Sequence, residues 1–276
     1  MVVIAPGRAR RPGAFVGAIE EPTPEELDSC PFCEGREERT PPEELALPAT
    51  PGRLPDTPGW TVRVVPNLYP ALERQEVVVH SPRHVRSFAE LEDAELALVA
   101  EAWRERFAAA PTDGFPYVHA MVNEGRFAGA SLAHSHSQLV WLRESPPAVT
   151  AEGHGAQCEV CRLLEPEPLA VASRGELVTV CHLAGRAPFE LLISGSHESN
   201  AEDAFFDALW LLRDAIRRLR ALEGATPWNA WLHLGPHWHF EVLPRLTVFA
   251  GLELGAEIYV NVVEPEAAAA ALRGAG

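Results

Sequence analysis

Lysine is missing from this sequence, and all 23 of its basic residues are arginines. A Walker-type phosphate loop needs a lysine that reaches the phosphates, and Schiff-base catalysis needs a lysine amine. The absence of lysine therefore excludes both mechanisms. Any anionic ligand must instead be bound by a local cluster of arginines.

Long apolar runs are also missing: the 276 residues contain none of about 18 residues, the length that crosses a bilayer, and no basic-then-apolar leader at Met1. We therefore expect a soluble, cytoplasmic protein without a membrane partner. The net charge of −16 and the pI near 5.1 argue against a nucleic-acid partner, because binding to phosphate backbones needs a basic surface. The length suits one or two globular domains.

Cysteine is scarce, and four of the five cysteines form two C-x-x-C pairs, Cys30 with Cys33 and Cys158 with Cys161. In a cytoplasmic chain such a pair indicates a metal or redox site more often than a structural disulfide, and a chance pair is a further alternative. The remaining Cys181 lies in the apolar run LVTVC, so we interpret it as a small buried side chain.

Each C-x-x-C pair is followed by the same two histidine motifs in the same order. The first half has S-P-R-H at 81–84 and H-S-H-S-Q at 134–138, and the second half has S-G-S-H at 194–197 and H-W-H-F-E at 237–241. Two thiolates and two imidazoles suit a closed tetrahedral zinc site, whereas ordinary polar histidines are the alternative. The two zinc sites that we predict are Cys30, Cys33, His84 and His134, and Cys158, Cys161, His197 and His237.

The repeated motifs indicate an internal duplication, with domains at 1–147 and 148–276 that meet in the Pro-, Gly- and Glu-rich segment around 144–156. One amphipathic helix is predicted in each half, after the capping-box pattern of Ser87 and Glu90 and between Asn200 and Gly224. Strands are predicted at 61–66, 76–80, 117–123, 138–142, 176–183, 189–194, 239–244 and 258–263. These elements predict an α+β fold with a mostly antiparallel sheet and a main helix in each domain.

The motif H-S-H-S-Q stands at the start of the strand-like run QLVWL. Side chains alternate between the two faces of a strand, so His134, His136 and Gln138 share one face. If His134 binds zinc, His136 is fixed beside the metal without being a ligand. We therefore expect the strand end to aim His136 at a substrate.

Several longer segments follow one another along nearly the whole chain, namely APGRARRP (5–12), CPFC, RTPPE (39–43), VVPNLYPAL (64–72), VVVHSPRH, NEGRFAGASLAHSHSQ (123–138), HWHFEVLPRLT and AGLELGAEIYVN. In this order they resemble galactose-1-phosphate uridylyltransferases of the histidine-triad superfamily. The resemblance implies a fold of two tandem histidine-triad-like domains.

The resemblance also implies roles for individual residues. His136 matches the nucleophile that takes a nucleoside monophosphate from a nucleotide sugar, and Gln138 stands where hydrolytic relatives carry a third histidine, which favours transfer over hydrolysis. An uncharged imidazole is a competent nucleophile at neutral pH, and an amide can donate to a phosphoryl oxygen. The other matched positions are Ser131, Asn123 and Asn67 near the nucleotide and its phosphates, Arg8 and Arg11 at the phosphates, and Glu253 at the sugar hydroxyls. Arg8 and Arg11 have a simpler alternative as a solvated terminal arm.

Two further features of the sequence, a difference between its halves and a departure from the family pattern, affect the predicted function. Glu241 occupies the position in the second half that Gln138 has in the first, and a carboxylate there would repel phosphate, so we expect the second half to be scaffold and part of the sugar pocket. Thr247 stands where well-known relatives carry lysine, and Leu252 replaces an aromatic residue. These changes leave the galactose specificity open.

The predicted function is a nucleotidyltransferase that exchanges a nucleoside monophosphate between UDP-glucose and galactose-1-phosphate through a covalent nucleotidyl-histidine. The alternatives are a nucleotide-sugar phosphorylase of the ADP-glucose type, a zinc-stabilised nucleotide-binding protein without turnover, and a diadenosine-polyphosphate hydrolase or phosphorylase. The expected partners are a nucleotide sugar and a sugar-1-phosphate. The two predicted clusters imply one or two zinc ions as the expected cofactor, with iron as an alternative at one site. By resemblance, the expected assembly is a homodimer.

Overall fold

The computed structural model describes residues 1–10, 21–152, 158–197 and 199–276. The strands in these residues are β1 (Val2–Ile4), β2 (Leu45–Leu47), β3 (Val62–Pro66), β4 (Arg74–Val79), β5 (Tyr117–Glu124), β6 (His136–Leu142), β7 (Ala170–Arg174), β8 (Leu177–Cys181), β9 (Leu191–Ser194), β10 (Trp228–His233), β11 (His239–Pro244) and β12 (Tyr259–Asn261). The α-helices are α1 (Pro24–Ser29), α2 (Asp93–Ala109), α3 (Pro147–Thr150), α4 (Glu159–Leu164), α5 (Ala201–Glu223), α6 (Gly251–Ala256) and α7 (Pro265–Gly274).

One sheet of ten strands dominates the fold, in the order β2-β3-β4-β6-β5-β10-β11-β9-β8-β7. All of its neighbouring strands are antiparallel. The series β3-β4-β6-β5 is mirrored by β8-β9-β11-β10, and the two series meet where β5 pairs with β10. The α+β prediction is therefore confirmed. The division into two domains at residue 147 stays a prediction.

The two long helices, α2 and α5, contact each other and cover one face of the sheet. Trp103 of α2 lies between them and the sheet, with its ring centroid 5.8 Å from that of Phe205 on α5 and 6.0 Å from that of Phe240 on β11. The Trp103 indole donates to the hydroxyl of Ser137, 3.0 Å away. Because side chains alternate along a strand, the opposite face of β6 presents His136 and Gln138.

The eight predicted strands all appear, with ends shifted by a few residues, but β12 pairs with β1 in a separate parallel ladder. The sequence interpretation missed β1, β2, β7 and β10, of which β10 joins the two halves. The first long helix starts at Asp93 rather than after Ser87, because Ser87 caps a separate 3-10 turn at Phe88–Glu90. The second helix starts after Asn200 and ends before Gly224 as predicted. Among the described residues, the helices are too short or too polar to cross a membrane.

Candidate active site and metal clusters

His136 opens β6 with its imidazole held in one orientation. Its Nδ1 lies 2.7 Å from the carbonyl oxygen of His134. A carbonyl only accepts, so Nδ1 carries the hydrogen and Nε2 keeps its lone pair. The ring is buried, and burial lowers its pKa despite the bond to that carbonyl. The side chain is therefore a neutral imidazole at pH 7, the form that can act as a nucleophile.

A small pocket beside His136 contains residues from the neighbouring strands β5 and β6 and from the loops next to them. Asn123, near the end of β5, lies in this pocket with His136, and so does Arg86. Asn123 was predicted from the sequence, but Arg86 was missed, although it stands two residues after His84 in the motif SPRHVR. The pocket thus brings a neutral imidazole, an amide and a guanidinium together.

Gly125 shapes the turn that carries the chain from Asn123 back towards β6. It has φ 84° and ψ 151°, a conformation that is essentially restricted to glycine. A Cβ at this position would lie 2.9 Å from the Cβ of Pro227. The turn closes by hydrogen bonds from the amides of Ala128 and Ala130 to the carbonyl of Gly125. The glycine is therefore required both by its backbone angles and by the close approach of Pro227.

The cluster of Cys30, Cys33, His84 and His134 comes together as predicted, with its ligand atoms all within 4.8 Å of one another. The Nδ1 of His134 lies 3.4 Å from the sulfur of Cys30 and 3.7 Å from that of Cys33, and the Nδ1 of His84 lies 3.5 Å from the sulfur of Cys33. A tetrahedral zinc with its usual bond lengths sets sulfur and nitrogen about 3.5 Å apart. The geometry therefore fits a zinc ion.

The protonation chemistry of this first cluster also fits a metal. The Nε2 atoms of His134 and His84 donate to the carbonyl of Ser81 and the carboxylate of Glu26, at 2.9 Å each, which leaves both Nδ1 lone pairs towards the sulfurs. Burial lowers the pKa of His134 to about 3, so its ring is neutral. Burial and the neighbouring Cys30 raise the pKa of Cys33 to about 12, and a bound cation would displace that proton.

The second predicted cluster, Cys158, Cys161, His197 and His237, also forms within 4.8 Å. His237 donates from Nε2 to the carbonyl of Gly195 at 2.8 Å and directs Nδ1 at the sulfurs of Cys158 and Cys161, 3.3 and 3.5 Å away. His197 is exposed, and its ring centroid lies 4.2 Å from that of His237. This donor set fits zinc as the first one does, but the position of its fourth ligand, His197, is more open to solvent.

A third group of potential ligands, which the sequence interpretation missed, consists of Glu152, His233 and His239. His233 on β10 directs Nδ1 at a carboxylate oxygen of Glu152, 2.7 Å away. His239 on β11 lies opposite His233 in the antiparallel pair of strands. Glu152 precedes the second C-x-x-C pair, and His233 ends a strand that was not predicted. No motif or spacing in the sequence therefore connects the three residues.

The same neighbourhood distinguishes His239 from His136. Burial acts to lower the pKa of His239, but the nearby carboxylates of Glu241 and Glu152 outweigh it and raise the pKa overall. Both carboxylates lie 3.8 Å from its Nε2. Arg186 in turn pairs with Glu241. The second half thus surrounds its histidine with negative charge, where the first half has amides.

The remaining predicted residues that the structure describes lie outside the His136 pocket. Ser131 is exposed in the loop before β6, and Arg8 is exposed in the turn after β1. Asn67 precedes an exposed loop, and its Oδ1 accepts from the amide of Tyr69 at 2.9 Å. Glu253 lies on α6, where its carboxylate accepts from the amide of Ala250. Arg11 lies outside the described residues.

A family model and a curated protein both match this chain. A family model described as the N-terminal domain of galactose-1-phosphate uridyl transferase matches residues 70–147. ADP-glucose phosphorylase of Arabidopsis thaliana is 29% identical over 320 residues, covering 99% of this chain and 89% of that protein. These matches include the motif H-S-H-S-Q and the first-half pocket.

Solved structures agree with the sequence matches. The crystal structure of an ADP-glucose phosphorylase from Arabidopsis thaliana with bound ADP-glucose is 27% identical, with a TM-score of 0.80 over 99% of this chain and 94% of that one. A uridylyltransferase structure is 25% identical, with a TM-score of 0.75 over 95% and 93% of the two chains. The family model, this relative and these structures confirm the resemblance of the chain to the galactose-1-phosphate uridylyltransferase family.

Proposed function

We propose that this protein is a nucleotide-sugar phosphorylase that uses His136 to carry a nucleoside monophosphate from a nucleotide sugar of the ADP-glucose type to inorganic phosphate. The observation that carries the proposal is the orientation of His136. Its Nδ1 is occupied by the His134 carbonyl, so the neutral Nε2 is free for attack beside Asn123 and Arg86. A nucleotide-sugar enzyme of this family needs a nucleophile in that state.

The reaction proceeds by two displacements at the same phosphorus atom. In the first, Nε2 of His136 attacks the α-phosphorus of ADP-glucose, a nitrogen–phosphorus bond forms, and the bond to the glucose-1-phosphate oxygen breaks. In the second, an oxygen of inorganic phosphate attacks that phosphorus, and the nitrogen–phosphorus bond breaks to release ADP. The net products are glucose-1-phosphate and ADP. The histidine is regenerated in its neutral form.

The neighbouring residues stabilise charge and bind the substrate in this proposal. Gln138 shares a face of β6 with His136 and donates to a non-bridging oxygen as charge develops. A glutamine activates water less well than a histidine, so the intermediate survives until the acceptor binds. We assign Ser131, Asn67 and Asn123 to the nucleotide phosphates, Arg8 and Arg11 to the pyrophosphate, and Glu253 to the sugar hydroxyls.

The acceptor is proposed to be phosphate rather than galactose-1-phosphate. The similarity to ADP-glucose phosphorylase over nearly both full lengths supports this choice. The substitutions at Thr247 and Leu252, on the side assigned to the sugar, weaken the prediction of galactose-1-phosphate as acceptor. The similarity to a uridylyltransferase structure keeps UDP-glucose with galactose-1-phosphate as the second candidate.

The rest of the chain supports the site in this proposal. The two Cys and His clusters hold zinc as structural sites, and the first fixes His134 and therefore the carbonyl that orients His136. We also propose that the active form is a homodimer. No step of the two displacements passes through the metal.

Four parallel incubations test the proposed reaction. Purified protein receives ADP-glucose or UDP-glucose, each with inorganic phosphate or galactose-1-phosphate, and the products are quantified by chromatography. We expect the pair ADP-glucose and phosphate to react fastest, yielding equal amounts of ADP and glucose-1-phosphate. A faster reaction of UDP-glucose with galactose-1-phosphate would establish the second candidate instead.

The covalent intermediate is tested without an acceptor. Brief incubation with ADP-glucose labelled in the α-phosphate should leave an acid-labile adduct on the peptide that contains residues 134–138. The His136→Asn variant should form no adduct while keeping its metal content. Failure of the wild-type protein to form any adduct or product with either nucleotide sugar would leave a nucleotide-binding protein without turnover.

A further inference from the structure

The amide of Gln138 is oriented by a second amide on the neighbouring strand. Gln75 of β4 donates from Nε2 to Oε1 of Gln138. Gln75 is itself fixed, because its Oε1 accepts from the backbone amide of Ala71 at 2.9 Å. With its oxygen occupied, Gln138 must direct its Nε2 hydrogens elsewhere. Within the part of the chain that the structure describes, that nitrogen has no acceptor.

The side-chain amide of Asn123 is likewise oriented as a donor, in this case by a residue on the neighbouring strand β10. Asn229 of β10 donates from Nδ2 to Oδ1 of Asn123 at 2.7 Å and to the carbonyl of Ala128 at 2.7 Å. If the carboxamide of Asn229 were turned over, its oxygen would face these two acceptor oxygens, which is unfavourable. Arg245 donates to Oδ1 of Asn229 at 3.4 Å, which favours the same orientation. Asn123 is thereby left with its Nδ2 hydrogens free of any acceptor among the described residues.

We propose that Gln75 and Asn229 are positioning residues that fix Gln138 and Asn123 as hydrogen-bond donors to the phosphoryl group. This inference rests on the proposed function of His136. A carboxamide can present either an N–H donor or a carbonyl oxygen, and only the donor is attracted to an anionic phosphoryl oxygen. Gln75 and Asn229 remove that ambiguity before the substrate binds, which is the kind of preorganisation that stabilises a transition state.

The side-chain amide of Asn67 is also oriented as a donor, in this case by a backbone group two residues away. Its Oδ1 accepts from the amide of Tyr69, so its Nδ2 also remains available as a donor. The carbonyl of Gln75 accepts from the backbone amide of Asn67 at 2.8 Å, which connects the two residues. Three amides that the family resemblance assigns to the nucleotide therefore have their oxygens engaged by the protein.

Isosteric acids reverse the orientation without changing the size of the side chain. In Gln75→Glu the new carboxylate can only accept from Gln138, so Gln138 turns and presents its oxygen to phosphate. We expect kcat to fall about 100-fold or more, the effect of losing one such donor, with a smaller change in KM. Gln75→Met removes the hydrogen bond to Gln138 without reversing the orientation of that amide. Its kcat should therefore lie between those of the wild type and Gln75→Glu. Asn229→Asp reverses Asn123 in the same way and should weaken ADP binding about 10-fold to 100-fold.

Double-mutant cycles separate orientation from direct repulsion by the new charge. If Gln75 acts through Gln138, Gln75→Glu should have little further effect in a Gln138→Ala background, and Asn229→Asp little further effect in an Asn123→Ala background. Asn200→Asp is the matched control, because it adds the same charge at the exposed cap of α5, where aspartate is also a good cap. All variants are checked for metal content and melting temperature.

The outcomes distinguish this inference from the proposed function. The rate of ADP-glucose phosphorolysis and calorimetric binding of ADP are measured for each variant. Turnover by the wild type with additive effects in both cycles overturns the positioning role and leaves the function intact. Absence of turnover, with a non-additive cycle in ADP binding, supports the positioning role and overturns the function. A wild-type protein that neither turns over nor binds ADP overturns both.

Discussion

His136 and His239 hold their imidazole rings by the same hydrogen bond, from Nδ1 to the carbonyl of the histidine two residues earlier, at 2.7 and 3.0 Å respectively. They occupy matching strands, β6 and β11, in the mirrored halves of the sheet. The difference lies in their neighbours. His136 is adjacent to amides, whereas His239 faces Glu152 and Glu241.

This difference predicts that only one of the two histidines is the nucleophile. His136→Asn should lose nearly all activity, at least about 10,000-fold in kcat, because the attacking atom is removed. His239→Asn should stay within about 10-fold of the wild type, because a histidine between carboxylates cannot receive a phosphoryl group without strong repulsion. Steady-state rates of both variants at matched metal content provide the comparison. Equal losses in the two variants would mean that both halves react or that the second half is the active one.

Metal content is expected to follow the C-x-x-C pairs. Wild-type protein should contain about two zinc ions per chain by elemental analysis, because each cluster offers two cysteines and two histidines, the donor set of a tetrahedral zinc site. Cys33→Ser should lose about one zinc and unfold at a lower denaturant concentration, since metal binding to such a site contributes to folding. Chelation of the wild type should lower its unfolding midpoint in the same direction.

Cys181 provides the matched control for the metal prediction. It is buried and lies apart from the clusters, and burial raises the pKa of its thiol to about 12. Cys181→Ser should therefore keep the zinc content of the wild type, even if its stability falls. Wild-type protein without bound metal after purification in chelator-free buffer would contradict both assignments and favour the redox alternative.

The sequence was sufficient where the functional residues stand close together along the chain or recur in a repeated order. The motif H-S-H-S-Q places its residues by strand alternation alone. The recurrence of the same histidine motifs, in the same order after each C-x-x-C pair, identified both four-residue clusters. The face of β6 that carries His136 could therefore be predicted without coordinates. The apolar stripes of α2 and α5 likewise indicated the helices that cover the other face.

The sequence was insufficient where a site depends on the register between distant strands. Gln75 reaches Gln138 because β4 pairs with β6, and Asn229 reaches Asn123 because β10 pairs with β5. Neither pairing follows from spacing, and β10 itself was missed. The group of Glu152, His233 and His239 could not be predicted for the same reason, since its members come from three separate segments.

The turn after Asn123 gives a prediction about stability. Gly125→Ala should lower the free energy of unfolding by about 3 kcal/mol or more, because its backbone angles are nearly restricted to glycine and the new Cβ would overlap Pro227. Gly129 also has a positive φ, of 89°, but no atom lies within 4 Å of a Cβ built there. Gly129→Ala should cost only about 1 kcal/mol. Denaturant unfolding of both variants measures the two losses, and equal losses would contradict the additional cost expected at Gly125.

Glu124, next to Asn123, is a buried carboxylate held by local hydrogen bonds. It accepts from the hydroxyl of Ser87 and the amide of Phe88, at 2.7 Å each. Burial nevertheless raises the pKa of Glu124 from 4.5 to about 7. In the pH range between these values, the folded protein holds a proton that the unfolded chain releases. Glu124 therefore contributes stability below about pH 4.5, and this contribution is lost as the pH rises through 7.

Glu124→Gln should remove this pH dependence, because glutamine resembles the protonated carboxyl and does not titrate. The free energy of unfolding of the variant, minus that of the wild type, should increase by about 2 kcal/mol between pH 5.5 and pH 8, since the wild type must ionise a buried group over that range. Urea unfolding at several pH values measures this difference and cancels the titration of all other groups. Glu105→Gln, on the exposed face of α2, controls for the change in net charge. A difference for Glu124→Gln that stays constant with pH would show that the carboxylate is ionised in the folded protein throughout, and that its two donors outweigh its burial.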